Sequence, residues 1–448
     1  MAVMSPSYDL SNGFDPSVDI FGRKKLFDQI LKISSKSPDI NLVLALDDKW
    51  GNGKTTFVKM MEYEIKKNHS EEIDVIYFDA FENDYKSDPF TALSSKVYSL
   101  INEDMTTKEK LGKTFLSASK KVGAALLLNG SKAIISTLTA GAVNGSVIAN
   151  SADAISSSLT SPLEKFIEER ITAGDNEEAN IDFFKKTLND IHKEKGKKTI
   201  FIIDELDRAR PDFSLELLEK IKHIFSVNGF VFLLVMNREQ FQKVIEHRYG
   251  SIDSKMYLNK FIHFWFTLPK KNEMGINEYN YYEKSTMSNY LMKIDSGGKI
   301  LSSGGDLIKS LSYLLDVNGC SLREAERCLS ILSVIELGNS SFFNFIPSYQ
   351  NTFALVAFLK VYNPDLLDKI IYKSIESHQV VDILRINSKS ESRTARDLKL
   401  IISYILLTER ERRDLDPNGE YRTLENYGAF DDLFGNIIKY VNELTTLA

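Results

Sequence analysis

At 448 residues the chain has room for two or three domains, and 43% apolar with 26% charged residues excludes a disordered or fibrous chain. A formal charge of −6 argues against a strongly basic nucleic-acid binder. Two cysteines, Cys320 and Cys328, and six scattered histidines exclude a disulfide framework and a zinc site, and they fit a reducing compartment. Residues 1–16 hold no apolar run behind a basic start, so no secretory leader is expected and the reading is a cytoplasmic protein.

Five short apolar runs follow, separated by helical patterns: residues 41–46, 74–78, 199–203, 230–235 and 261–268. Near-continuous apolar runs of this length suit strands covered on both faces, as in a parallel sheet between helices. The first run leads through a glycine-rich turn into residues 56–67, where Phe57, Met60, Met61 and Ile65 fall near one face of a helix. Beyond residue 269 strand signals fade. Leu307, Leu311, Leu314 and Leu315 recur at helical spacing, and Ser321 with Glu324 makes a capping-box pattern that opens a helix over 322–337. Residues 353–362 are apolar but too short to span a membrane, and predict a core helix.

The turn after the first run carries the clearest chemistry. Asp48-Lys49-Trp50-Gly51-Asn52-Gly53-Lys54-Thr55 matches the Walker A pattern G-x-x-x-x-G-K-[ST] except at its first position, where Asp48 stands for glycine. Gly51 and Gly53 lack a Cβ, so main-chain N–H groups can close around phosphate oxygens, and the helix N-terminus behind them favours an anion. Lys54 is expected to reach the β- and γ-phosphates and the Thr55 hydroxyl to ligate Mg²⁺, with Trp50, Asn52 and Thr56 completing the ATP-binding turn. Asp48, close to that phosphate position, is expected to weaken affinity.

The third run ends in two carboxylates, Asp204 and Glu205, a Walker B pattern. A carboxylate at the C-terminal end of such a strand lies on the ligand side of the sheet. Asp204 is expected to hold Mg²⁺ through its water shell and Glu205 to act as general base on the attacking water. Asp207 adds a third acid beside Arg208. Asn237, just past the fourth run, is either a γ-phosphate sensor or a plain N-cap for residues 238–246. Arg208 and Arg210 are either arginine fingers across a subunit boundary or local salt-bridge partners of Asp207 and Asp212.

These motifs, in this order, resemble the KAP family of P-loop NTPases. The resemblance rests on Trp50 within the turn; Phe78-Asp79-Ala80-Phe81; Asp204-Glu205-Leu206-Asp207-Arg208 with Pro211; the helix around Ile221-Lys222-His223; Tyr257-Leu258-Asn259-Lys260 leading to Leu268-Pro269; and the lead-in Asp19-Ile20-Phe21-Gly22-Arg23. It covers roughly residues 17–270. Departures are Asp48, Phe81 in place of tryptophan and Asn237 in place of aspartate. The resemblance implies an α/β fold of the additional-strand ATPase type, with sheet order 5-1-4-3-2 for the five runs and a lead-in passing near the adenine. It divides the chain into a P-loop NTPase domain over 1–270, with a helical insertion at about 104–178, and a helical lid and C-terminal helical domain over 271–448. Arg323, with Arg327 one turn later, resembles a lid sensor for the γ-phosphate; the alternative is a solvated arginine pair. ATP is expected over GTP, because Asn259-Lys260-Phe261-Ile262 breaks the guanine-specific N-K-x-D pattern.

Family members often carry transmembrane helices between Walker A and Walker B. Here residues 122–149 are apolar, with Lys132 their only charge. Both motifs must lie in one sheet, so an insertion has to cross a bilayer an even number of times, and two passes need ~40 apolar residues. Residues 141–162 hold Asn144, Asn150, Asp153 and many serines, so spanning is not expected. A surface-lying segment and an oligomerisation or partner element stay open, leaving membrane association open too. The functional expectation is a Mg²⁺-dependent ATPase acting as a molecular switch or assembly engine, self-associating and working on an unidentified protein partner. By resemblance, phage defence is included. The alternative is a nucleotide-stabilised scaffold with little turnover.

Overall fold

In a computed structural model of the chain, the described residues are 13–16, 18–37, 41–86, 88–103, 108–129, 161–269, 285–295, 300–301, 305–334, 346–386 and 392–408, with isolated positions at 410, 411, 414, 424 and 435. Two compact units emerge: a sheet unit, Phe27–Asp48 with Phe57–Thr267, and a helical unit, Met1–Leu26 with Lys49–Thr56 and Leu268–Ala448. The glycine turn belongs to the helical unit.

Five parallel strands form the sheet: β1 (Leu42–Asp47), β2 (Ile73–Asp79), β3 (Lys198–Asp204), β4 (Phe230–Met236) and β5 (Phe264–Thr267). Their order is β2-β3-β4-β1-β5, the expected one read from the other edge. β4 is buried along its whole length, which its unbroken Phe-Val-Phe-Leu-Leu-Val-Met run allows and a two-sided helical cover requires. The fifth strand is shorter than the apolar run 261–268 predicts. The N–H groups of Phe261 and Ile262 bond back to the Leu258 carbonyl at 3.0 Å, so these residues close the preceding helix and bury their side chains instead of pairing in the sheet.

Helices α1 (Lys24–Lys36), α2 (Lys54–Asn68), α3 (Ala80–Asn83), α4 (Pro89–Glu103), α5 (Lys108–Asn129), α6 (Ser161–Lys195), α7 (Pro211–His223), α8 (Arg238–Tyr249) and α9 (Ser254–Asn259) run between or alongside the strands. Phe57, Met60, Met61 and Ile65 of α2 are buried, the face expected from their spacing. Rings from α4, α5 and α6 meet Phe225: Phe90 and Phe115 lie 5.1 and 5.4 Å from Phe184, and Phe184 lies 5.4 Å from Phe225. The helices bordering the insertion are thus anchored in the sheet unit's core. Of residues 122–149, those to 129 continue α5 and Val122 is fully buried; the rest lie outside the described residues. Among the described residues no helix is long and apolar enough to cross a membrane.

The helical unit contains α10 (Thr286–Ile294), α11 (Asp306–Val317), α12 (Leu322–Val334), α13 (Pro347–Tyr362), α14 (Pro364–Ile371), α15 (Ser377–Ile383) and α16 (Arg393–Leu406). Leu311, Leu314, Cys328, Leu332, Phe358, Leu398 and Ile402 build its core around α13, which is buried on nearly every side as its apolar run predicts. The capping box is present at α12: Glu324 Oε2 accepts the Ser321 N–H at 2.6 Å, and Ser321 Oγ accepts the Glu324 N–H at 3.3 Å. That box aims the first turn of α12, where Arg323 sits.

Candidate nucleotide-binding site

β1 ends at Asp47, whose carboxylate accepts the N–H of Arg238 at 2.9 Å and so ties the end of β1 to the first turn of α8. The chain then makes its turn and enters α2 at Lys54. Gly51 and Gly53 have φ of +82° and +80°, left-handed values that glycine adopts without strain. Alternating left-handed residues of this kind converge main-chain N–H groups on one concave side, which suits a phosphate. The helical unit leaves no room for a side chain at Gly51: a Cβ there would stand 2.7 Å from the Arg323 Cβ and 3.1 Å from Ser321 Oγ. Lys54 is only 9% exposed, and its ammonium folds back over the turn to donate to the Lys49 carbonyl at 3.2 Å. Asn52 is buried, Thr55 and Thr56 are half-buried, and Trp50 is exposed.

Within the sheet unit, β3 delivers Asp204 to the C-terminal ends of the strands, in register with Asp79 of β2. The side chain is 1% exposed. Its Oδ2 accepts the Tyr77 hydroxyl at 3.0 Å and its Oδ1 accepts the Glu205 N–H at 2.8 Å. The Lys59 ammonium stands 3.1 Å from the centre of the Tyr77 ring. Burial, and then the Asp204 carboxylate, push the Tyr77 pKa well above the ordinary phenol value, so Tyr77 stays a neutral donor. Glu205 has φ +56°, a left-handed conformation that costs a non-glycine residue energy and recurs at functional sites. Its Oε2 accepts Arg208 Nη1 at 2.6 Å. Asp207 is buried, and the Leu206 N–H bonds to the Val235 carbonyl at 3.4 Å, tying this acidic turn to β4.

Other expected residues fall as follows. Asn237 caps α8, its side-chain oxygen accepting the Gln240 N–H at 3.3 Å, which leaves its amide NH₂ as the group available to a ligand. Arg208 and Arg210 are both engaged within the sheet unit, with other partners than the sequence suggested: Arg208 with its neighbour Glu205, and Arg210 with the distant Asp84, whose carbonyl accepts its side chain at 2.8 Å and whose carboxylate accepts its N–H at 2.9 Å. The left-handed turn at Glu205 brings residue 205 rather than 207 under the Arg208 guanidinium. Arg323 and Arg327 are exposed on α12 and make no ion pair among the described residues. Lys222, His223, Lys260 and His263 line a separate cavity of about 330 Å³ beside the start of β1.

Three contacts at these places escape a sequence reading, those of Tyr77, Asp47 and Arg23. Tyr77 reads as one more apolar strand residue, and only its position beside the acidic strand hints at a carboxylate partner. Arg23 donates to two carbonyls of the glycine turn, from a segment 29 residues away in sequence.

Among known proteins, the chain is similar to the Phage T7 exclusion protein of Escherichia coli (strain K12), at 23% identity over 175 residues. That match covers 38% of this chain and 22% of the relative, so the chain spans about a fifth of the relative's length. Among solved structures it is similar to the Aeropyrum pernix ORC2 protein in ADPNP–ADP complexes, at 14% identity, covering 95% of this chain and 84% of that one with a TM-score of 0.35. It is also similar to Cdc6p from Pyrobaculum aerophilum, at 11% identity, covering 99% and 98% with a TM-score of 0.41. The KAP family P-loop domain matches residues 23–336, which is more than half of the chain and includes the glycine turn, the acidic strand and the first turn of α12. On that match, this chain belongs to the KAP family of P-loop NTPases.

Proposed function

We propose that the chain binds ATP with Mg²⁺ at Trp50, Gly51, Asn52, Gly53, Lys54, Thr55 and Thr56 and hydrolyses it, its cycle serving as a molecular switch or assembly engine. One observation carries this reading: the acidic end of β3 is built for more than capping a strand. Asp204 is a buried carboxylate held by a phenol, and Glu205 follows it in a left-handed conformation at the C-terminal end of the strand. In this reading the turn's N–H groups and Lys54 take the β- and γ-phosphates. Thr55 and Asp204 offer a hydroxyl and a carboxylate, the oxygen donors that suit a magnesium ion keeping several of its waters. The ion would neutralise charge on the phosphate oxygens. Glu205 accepts the proton of the water that attacks the γ-phosphorus as the bond to the ADP oxygen breaks, with Asp207 the next candidate base. The Asn237 amide and the Arg323 guanidinium are assigned to the γ-phosphate.

Steady-state phosphate release, measured beside native mass, tests the proposal. Release in the wild type and none in Lys54→Ala supports it; equal release in both removes the turn from the chemistry. A second reading, a scaffold that holds ATP with little turnover, is favoured by Asp48 in the first glycine position and by the Glu205–Arg208 contact of 2.6 Å. Tight ATP binding with no release in the wild type would select it. We also propose self-association, which native mass reads directly, and a role in phage exclusion drawn from the name of the relative. Equal plaque counts on cells expressing wild type and Lys54→Ala would remove that last assignment.

A further inference from the structure

We infer that Arg23 is a positioning residue for phosphate binding, fixing from outside the peptide planes whose N–H groups receive the phosphate. The inference rests on the nucleotide reading above. Arg23 is 7% exposed, a rare burial for an arginine. Its Nη2 donates to the Asn52 carbonyl at 2.9 Å and its Nη1 to the Gly53 carbonyl at 3.3 Å. Across a trans peptide the C=O of one residue and the N–H of the next point in opposite directions. Drawing the carbonyls of residues 52 and 53 toward Arg23 therefore turns the N–H groups of Gly53 and Lys54 to the opposite side. Those are the donors a phosphate in this turn requires.

Without that hold, the peptides flanking Gly53 flip cheaply, because a glycine at φ +80° has accessible alternatives on both sides of φ zero. The same proximity adds to what the φ of +80° already favours at residue 53: a Cβ there would stand 3.1 Å from Arg23 Nη1, tighter than an ordinary contact. Only a planar fork reaches two successive carbonyls at once; a lysine ammonium is a single point.

Arg23 is itself held in place. Asp19 accepts the Arg23 and Lys24 N–H groups at 2.8 Å each, capping the start of α1. The guanidinium lies 4.4 Å from the Phe21 ring centre, and the Phe21 ring packs at a tilt, 5.9 Å from that of Tyr290 of the helical core. The lead-in segment thus anchors one cation against the glycine turn.

Calorimetric titration of the full chain with ATP tests this. Arg23→Ala is expected to weaken ATP binding about 10- to 100-fold, the loss of a charge-assisted hold on the turn. The melting midpoint without nucleotide should drop modestly for the lost hydrogen bonds, with the folded state still cooperative. Millimolar methylguanidinium should restore binding in Arg23→Ala and not in Lys54→Ala, a recovery that general destabilisation would not give. Arg23→Lys should fall between wild type and alanine, and it carries the test where the alanine variant does not fold. ATP affinity within ~3-fold of wild type in a folded Arg23→Ala protein, or no response of that variant to methylguanidinium, overturns the assignment; where Arg23→Ala does not fold, unchanged affinity in Arg23→Lys overturns it. A wild-type chain that binds no ATP overturns the nucleotide reading itself, so the two failures are distinguishable.

Discussion

The glycine turn and the acidic end of β3 are built from different materials. The turn is held by shape: two left-handed glycines, the Cβ of Arg323 packed where a side chain at Gly51 would stand, and a guanidinium fork on two carbonyls. The acidic end is held by charge and hydrogen bonding between side chains: Tyr77 on Asp204 and Arg208 on Glu205. Substitutions that add volume should therefore destroy the first, and substitutions that keep volume but change charge should expose the second. That contrast can be broken or sharpened experimentally, beginning with the largest effects.

Gly51→Val should abolish ATP binding. The new Cβ meets Arg323 at 2.7 Å and the valine is forced to φ +82°. The left-handed conformation alone costs a branched residue about 1–2 kcal/mol or more. Lys54→Ala should abolish binding by a different route, leaving the turn's shape and the melting midpoint nearly unchanged while removing the charge. Undiminished ATP affinity in Gly51→Val would show that the turn is not shape-limited, and the comparison would collapse.

Glu205→Gln is the matching test at the acidic end. It keeps the volume, removes the base, and should cut turnover by ~10²-fold or more with ATP still bound. Wild-type turnover in this variant would move the base to Asp207 or establish the scaffold reading.

The two regions also differ in how far the sequence revealed them. The turn is contiguous, so its glycines, lysine and threonine could be read in a single pass; the five apolar runs marked the strands, and their order came from the family resemblance. The face of α2 and the capping box at Ser321 and Glu324 are likewise local patterns. The contacts that escaped are long-range or conformational. Tyr77 reaches Asp204 across 127 residues, and Arg23 reaches Asn52 across 29. The choice of Glu205 over Asp207 as the partner of Arg208 depends on a backbone φ that no residue type announces. The fifth strand was overextended because Phe261 and Ile262 are apolar for the helix end they close, not for the sheet.

Tyr77→Phe should have a moderate effect. It removes one donor from a buried carboxylate, a loss of roughly 1–3 kcal/mol of stability near neutral pH. The pH dependence supplies a sharper sign. Burial and Asp204 raise the Tyr77 pKa in the folded chain above its unfolded value of about 10. The stability this contributes is therefore fully present below pH ~10 and is lost as pH climbs toward the folded value. Chemical denaturation from pH 8 to 11 should show an alkaline decline in wild type that is smaller in Tyr77→Phe. Parallel declines would mean that burial and Asp204 do not hold Tyr77 protonated beyond the ordinary phenol range.

Arg208→Ala should have the smallest effect on stability and still be informative. The Arg208 and Glu205 side chains are 31% and 18% exposed, so solvent screens the pair and its loss should cost no more than ~1 kcal/mol. Its effect on turnover follows from occupancy. Arg208 Nη1 donates to Glu205 Oε2 at 2.6 Å, so that oxygen must leave the guanidinium before a water can donate to it. Removing Arg208 should then raise turnover, by less than ~10-fold because a solvent-screened pair costs at most ~1 kcal/mol to open. Salt should mimic the substitution, because screening weakens a half-exposed pair: wild-type turnover should rise with ionic strength and Arg208→Ala should respond less. A drop in turnover in Arg208→Ala would reverse the assignment. The arginine would then be aiming the glutamate rather than restraining it, and the acidic end, like the glycine turn, would depend on geometry more than on charge.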